Sequence, residues 1–281
     1  MKILCLIKYC LLGISILCGL AQADAAPKKI FIAGDSTAAT YTVPDQQGWG
    51  AVLGDYIDAT KAQVVNRARG GRSSRTFISE GSWQALVDEI AQGDIVIIQF
   101  GHNDASKVND DSRARGTLPG IGDESVTIDN LLTKQQETVY TFGYYIRKMV
   151  SDVRAKNATP ILMSLTQRHV WQNGHLERNN KYSRWSYELA LELNTSYVDL
   201  NNLVADKLEA RGEAETAKLY IKDTTHFNLA GAQLHAETAL AAFKGLRPDV
   251  FANLFNDKGL AIAKDDMAWL RLPVVADNNL R

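Results

Sequence analysis

Cysteine is nearly absent from this chain: its three thiols, Cys5, Cys10 and Cys18, all lie within the first 18 of 281 residues. Once that leader is set aside no thiol remains. This excludes disulfides, cysteine nucleophiles and zinc–thiolate sites, and leaves stability to core packing. An excess of either charge is missing too. With 31 basic and 32 acidic side chains the formal net charge is -1, so the chain lacks the basic footprint of a nucleic-acid binder. The 46% hydrophobic, 22% charged composition fits neither a disordered chain nor a membrane protein. Internal repeats, low-complexity stretches and linkers are also missing. Nothing therefore marks a second domain, and the length suits one sizeable α/β domain.

The leader has a readable pattern. Lys2 and Lys8 precede an apolar stretch from Tyr9 to Leu20, followed by the small residues Ala21-Gln22-Ala23-Asp24-Ala25-Ala26. This predicts a secretory signal peptide over residues 1–25, cut after Ala23 or Ala25, and a secreted or periplasmic product of residues 26–281 that does not contact the membrane after cleavage. The apolar stretch is too short for the roughly 20 residues of a bilayer span. A lipidation site at Cys18 is disfavoured by the bulky Leu17 before it.

From Pro27 onward, strand-like and helix-like segments alternate, the pattern of a parallel sheet covered by helices on both faces. Strands are expected over Ile30–Ala33, Gln63–Asn66, Ile95–Phe100, Thr159–Leu165 and Ser196–Leu200. Helices are expected over Gly48–Ile57, Trp83–Ile90, Tyr140–Lys156 and Leu229–Phe243. A long polar insertion runs from Ala105 to about Gln136. The tail from about residue 246, with Phe251, Leu254, Phe255, Trp269 and Leu270, is expected to pack back onto the core.

Open α/β sheets bind ligands beyond the carboxyl ends of their strands. The first strand ends in Gly34-Asp35-Ser36, the second leads into Arg69-Gly70-Gly71-Arg72, and the third into Gly101-His102-Asn103-Asp104. Ser36 offers a hydroxyl, the paired glycines offer unobstructed backbone N–H groups, and Asn103 offers an amide donor. Together they form the parts of a nucleophile with an oxyanion hole. Of five histidines, His226 is the best base: Asp223, three residues earlier, can reach back to Nδ1–H and leave Nε2 free for the serine proton. The run Gly34-Asp35-Ser36-Thr37-Ala38 lacks the second glycine of G-x-S-x-G, so an α/β-hydrolase nucleophile elbow is disfavoured.

Gly34-Asp35-Ser36, Gly71, Gly101-His102-Asn103-Asp104 and the Asp223–His226 pair resemble, in order, the four sequence blocks of the SGNH, or GDSL-type, hydrolases, over Ile30 to about Phe243. Thr37 stands where the family's name has leucine. Within that superfamily, Gly34 to Ala38, Asn66 to Ser73, Phe100 to Asp104 and Leu118 to Glu124 are most similar to the rhamnogalacturonan acetylesterases. The resemblance implies a three-layer α/β/α sandwich on a flavodoxin-like parallel sheet, and a serine esterase that needs no metal or cofactor. It implies Ser36 as nucleophile, with its own N–H, the Gly71 N–H and the Asn103 side chain as oxyanion donors. His226 would serve as general base and then acid, oriented by Asp223. The implied reaction removes an O-acetyl group through an acetyl-enzyme, and the chain is expected to act as a monomer.

Each site residue has a plainer rival. Ser36 alone could cap a turn, and Ser73 and Ser74 are rival hydroxyls with no strand ending on them. His102 can shape the site or serve as a hydrogen-bonded structural residue. His169, His175 and Glu177 match no metal-ligand spacing. Gly48-Trp49-Gly50 neither follows a strand nor has its third glycine at nucleotide-binding spacing. Arg67, Arg69, Arg72 and Arg75 crowd the oxyanion loop, and arginine forks suit carboxylates such as those of galacturonate. Arg72, Arg75 and His102 are therefore expected at the substrate, with Trp171 placed to stack on a sugar ring. The expected substrate is an acidic, acetylated plant cell-wall polysaccharide of the rhamnogalacturonan or pectin type. Alternatives are a lipase or acyl-thioesterase using the same residues on longer chains, and an acetyl xylan esterase. A non-catalytic carbohydrate-binding protein would require one of the matching residues to be missing.

Overall fold

An apolar run without alternation, such as Ile95–Ile98, requires a strand covered on both faces. In the computed structural model of this chain, Ile95–Gln99 is the middle strand of a five-stranded sheet and every one of its residues is buried. The structure describes residues 27–43, 45–178 and 181–265. The leader expected over 1–25, and Trp269 and Leu270 of the tail, lie outside them.

The chain runs β1 (Lys28–Gly34), α1 (Trp49–Val52) with a 3-10 turn over Leu53–Tyr56, β2 (Ala62–Asn66), α2 (Ser74–Ser79), α3 (Ser82–Glu89) and β3 (Ile95–Gln99). It continues through β4 (Ser125–Asp129), β5 (Gln136–Tyr140), α4 (Phe142–Ala155), β6 (Thr159–Met163), β7 (Trp171–Gln172) and β8 (His175–Leu176). The last part holds α5 (Lys181–Glu192), β9 (Ser196–Val198), α6 (Leu200–Arg211), α7 (Glu213–Ala217), α8 (Leu229–Gly245) and α9 (Asp257–Leu260). The sheet order is β2-β1-β3-β6-β9 and every pairing in it is parallel, with Ile30 opposite Val64 on one side and Ile95 on the other. This is a doubly wound, flavodoxin-like order whose direction of winding reverses between β1 and β3.

Alternation along each strand produces the layers. Ile30 and Ile32, with Ile95, Ile97, Ile161 and Met163, face a core closed by α1, α6 and α8. Phe31 and Ala33, with Val96 and Ile98, face the opposite core, closed by α2, α3, α4 and α5. Burying each large aliphatic side chain contributes roughly 1.5–3 kcal/mol, so a one-residue slip of β1 would exchange its two faces and misplace both cores.

Several elements differ from the sequence expectation. The helix expected over Gly48–Ile57 is one α-turn running into a 3-10 turn. Its start is pressed against another backbone segment: a Cβ on Gly48 would lie 2.3 Å from the Ala39 carbonyl oxygen. The polar insertion contains the antiparallel hairpin β4–β5, with Val126 opposite Val139. Helices α2, α5, α6 and α7 had no expectation. In α6 Leu200, Leu203, Val204 and Leu208 keep helical spacing, and buried Asn201 and Asn202 add polar residues to the same buried face. Phe251, Leu254 and Phe255 of the tail are buried, and Phe251 stacks on Phe243 with ring centroids 4.5 Å apart.

Candidate active site

The nucleophile candidate is presented by a tight turn that the local sequence builds. Where β1 ends, the Asp35 carbonyl accepts from the N–H groups of Ala38 (3.2 Å) and Ala39 (3.1 Å). The buried Asp35 carboxylate accepts from Thr37 N–H (2.9 Å) and from the Thr37 hydroxyl (2.8 Å). A leucine at position 37 has no hydroxyl for the second bond. Ser36 is left half-buried and facing a cleft at the switch point between β1 and β3.

Across the cleft, the segment before α8 presents the base. Asn228 caps α8 by accepting from Gly231 N–H at 3.1 Å, and a Cβ on Gly231 would meet the Leu219 carbonyl oxygen at 2.4 Å. The preceding loop is closed by bonds from Asn228 N–H to Leu219 O and from Ile221 N–H to His226 O, each 3.0 Å. His226 Nε2 lies 2.7 Å from Ser36 Oγ, and His226 Nδ1 lies 2.7 Å from Asp223 Oδ2. Asp223 Oδ1 also accepts from the backbone N–H groups of Thr225 and His226, each at 2.7 Å. Partial burial works to raise the Asp223 pKa, but these donors outweigh it and hold the carboxyl below its ordinary value.

The oxyanion candidates gather on the same cleft, which has a volume of about 580 Å³. Gly71 has φ +77°, a left-handed conformation that favours glycine. Asn103 is buried and donates one Nδ2 hydrogen to the Arg72 carbonyl at 2.9 Å. An amide nitrogen carries two hydrogens, so one remains for a ligand. Asp104, the next residue, accepts from Ser74 N–H at 3.1 Å and from the Ser74 hydroxyl, joining the loop after β3 to the start of α2. Burial pushes the Asp104 pKa up to about 7 against these bonds. Gly101 is favoured by its backbone, with φ +145°, and by proximity, because a Cβ there would meet Tyr182 Cβ at 2.8 Å.

The structure separates the expected substrate residues. His102 lines the cleft, with Nε2 3.0 Å from Thr166 Oγ1; its pKa is pushed down to about 4, chiefly by burial, so it is neutral near pH 7. Arg72 also lines the cleft, but its Nε donates to Glu80 Oε2 at 2.8 Å. Arg75 is revised. It is 1% exposed and spans Glu137 with two bonds of 2.7 and 2.6 Å, while Nη1 donates to the Val108 and Gly116 carbonyls. It therefore ties α2 to the insertion and does not face the cleft. Trp171 is likewise revised: its ring packs against the α6–α8 core and edge-on to His169, away from the cleft wall. Arg67 is bound to Glu89, and Arg69 Nη1 donates to Ser82 Oγ at 2.6 Å. Among the described residues no three of His, Cys, Asp and Glu gather as a metal site.

Four cleft residues had no sequence signal. Tyr41 reaches over Gly70, where a Cβ would lie 3.0 Å from its hydroxyl oxygen. Arg113 and Arg115 come from the polar insertion, and Arg168 from the loop after β6. Arg115 Nη1 donates to the Gly71 carbonyl at 2.9 Å and Nε donates to Ser106 Oγ at 3.1 Å. Arg115 and Asn103 thus hold successive carbonyls of the one turn, those of Gly71 and Arg72.

Residues 32–234 match the GDSL-like Lipase/Acylhydrolase family. The chain is 34% identical over 221 residues to a rhamnogalacturonan acetylesterase of Emericella nidulans, covering 78% of this chain and 86% of that protein. It is 32% identical over 225 residues to a probable rhamnogalacturonan acetylesterase of Bacillus subtilis, covering 78% and 92%. Among solved structures, a Bacillus subtilis protein superposes with a TM-score of 0.63 at 30% identity, covering 76% of this chain and 55%, about half, of that longer protein. A mutant acetyl-xylooligosaccharide esterase from Geobacillus shares the fold, with a TM-score of 0.52, 18% identity, and coverage of 76% and 93%.

Proposed function

The chain belongs to the GDSL-like lipase/acylhydrolase family, a family of carboxylic ester hydrolases, and from that membership we propose that it is an exported serine acetylesterase acting on an acidic, acetylated plant cell-wall polysaccharide. The observation that carries the reading is the Ser36–His226–Asp223 relay, with two hydrogen bonds of 2.7 Å, opening on a cleft lined by Arg72, Arg113, Arg115 and Arg168. In a chain of net charge -1 this local positive excess favours an anionic substrate. Leu132 is the sole aliphatic side chain on the cleft wall among the described residues, which gives a long acyl chain little to bury against. The two similar proteins from Emericella nidulans and Bacillus subtilis, a rhamnogalacturonan acetylesterase and a probable one, support the same substrate class.

In this reading His226 Nε2 takes the Ser36 proton as Oγ attacks the acetyl carbonyl carbon. The developing oxyanion is held by the Ser36 and Gly71 N–H groups and by the free hydrogen of Asn103 Nδ2. Asp223 keeps the imidazole in the tautomer with Nδ1–H and stabilises the imidazolium. The imidazolium then donates its Nε2 proton to the departing sugar oxygen, leaving acetyl-Ser36. Water, deprotonated by His226, attacks the acetyl carbonyl, the bond to Ser36 Oγ breaks as the imidazolium returns its proton to that oxygen, and acetate is released.

The test measures acetate release from acetylated rhamnogalacturonan and from acetylated xylan, with an aryl ester series from acetate to octanoate. Preference for the acidic glycan and for acetate is expected. A clear preference for neutral xylan would sink the pectin assignment, and a preference for octanoate would move the enzyme to the lipases.

A further inference from the structure

Past Ser36 the cleft joins a second cavity of about 360 Å³, and the two share His102 and Arg168. That volume is within the usual range for small-molecule sites. Its remaining wall includes Thr166, Glu177, Lys181 and Tyr182. Arg168 stands at the junction. The residue after it is tied to the base's loop, since His169 N–H donates to the Thr224 carbonyl at 2.7 Å. Among the described residues the side chains of Arg168 and Lys181 have no carboxylate partner. Of the other cationic chains of the active-site cleft, Arg72 is bound to Glu80 and Arg115 spends donors on Gly71 and Ser106, while Arg113, likewise without a carboxylate partner among the described residues, does not line the second cavity. An exposed guanidinium between two connected cavities, with no hydrogen bond or ion pair from its fork among the described residues, is suited to a planar carboxylate.

We propose that the second cavity is a subsite for a uronate residue neighbouring the acetylated sugar, with Arg168 taking its carboxylate at the junction and Lys181 adding charge deeper in. Glu177 is placed to accept from sugar hydroxyls. The proposal rests on the acidic-glycan reading above and adds to it which residues read the acid and on which side of Ser36.

The experiment is a cycle in two dimensions. Wild type, Arg168→Gln and Lys181→Gln are assayed for acetate release from acetylated galacturonate-containing oligosaccharides, once with free carboxylates and once as the methyl esters. 4-Nitrophenyl acetate serves as a substrate too small to fill the subsite. A charge-assisted hydrogen bond predicts that wild type favours the free acid by roughly 10- to 100-fold in kcat/KM, carried mainly by KM. Arg168→Gln should lose most of that preference and Lys181→Gln part of it, and both losses should exceed any change on the aryl acetate. An Arg168→Gln enzyme that keeps the wild-type preference overturns the subsite. If wild type cleaves the aryl acetate but neither glycan, the substrate reading fails. Unacetylated trigalacturonate then decides the cavity: competitive inhibition of aryl acetate cleavage that weakens in Arg168→Gln retains it, and absence of inhibition overturns it.

Discussion

Replacing Asn103 by alanine separates the chemistry of the site from its stability. Among the described residues the side chain makes one hydrogen bond, from Nδ2 to the Arg72 carbonyl at 2.9 Å, and keeps one hydrogen for the proposed oxyanion contact. Arg72 is only partly buried, so water can replace the lost donor, and the cost to stability is about 1 kcal/mol. That is small against the roughly 5–15 kcal/mol by which domains are stable. Losing an oxyanion donor in a preorganised site costs about 10²- to 10³-fold in kcat. The variant should therefore melt within a few degrees of wild type and turn over 4-nitrophenyl acetate about a hundred times more slowly or worse, with KM changed far less than kcat. Circular dichroism melts and initial-rate kinetics on one preparation read both quantities. A folded Asn103→Ala enzyme with kcat within threefold of wild type would refute the oxyanion assignment.

Asp223→Asn should lower kcat by about 10⁴-fold, because an amide NH₂ facing Nδ1 selects the wrong imidazole tautomer; a loss under tenfold in steady-state rates would count against the relay. Arg75→Met should destabilise the fold by about 3 kcal/mol in urea titrations, since it leaves two carbonyls unpaired and Glu137 with Asn130 as its remaining partner, and a change below 1 kcal/mol would show that the insertion is held by other contacts. His235 is buried with its pKa pushed down to about 4, chiefly by burial. Between pH 6.5 and 4 the unfolded chain binds a proton there that the folded one refuses, so this contribution is present above pH 6.5 and is lost as pH falls, by up to about 3 kcal/mol. His102 acts with the same sign and Asp104, pushed up to about 7, with the opposite one, so the comparison is between variant and wild type: His235→Gln should flatten stability against pH from 7 to 4.5, and an unchanged slope would contradict it.

Much of the site was legible because its backbone positions are local. Gly34-Asp35-Ser36 closes a strand and a turn within a few residues, and Asp223 reaches His226 within one turn, so adjacency in sequence is adjacency in space. The apolar run Ile95–Ile98 of β3 likewise announced a central strand. The hairpin β4–β5 was hidden because its strands are largely exposed and the alternation of Val126 and Ile128 in β4 spans only five residues of a polar insertion.

Charge was the least legible property, for a physical reason. Arg72, Arg75, Arg113, Arg115 and Arg168 are equivalent as letters, and a long flexible side chain takes its role from whatever carboxylate or carbonyl the fold brings within reach. The sequence alone determined the family, the order of the strands' functional endings and the Ser, Asp, His set. The tertiary structure alone decided that Arg75 belongs to the interior with Glu137, that Trp171 lies against the core, and that Arg113, Arg115 and Arg168, from segments more than fifty residues apart, meet at the serine. Such meetings depend on the doubly wound crossovers, which place the ends of β1, β3 and β6 side by side although the chain separates them.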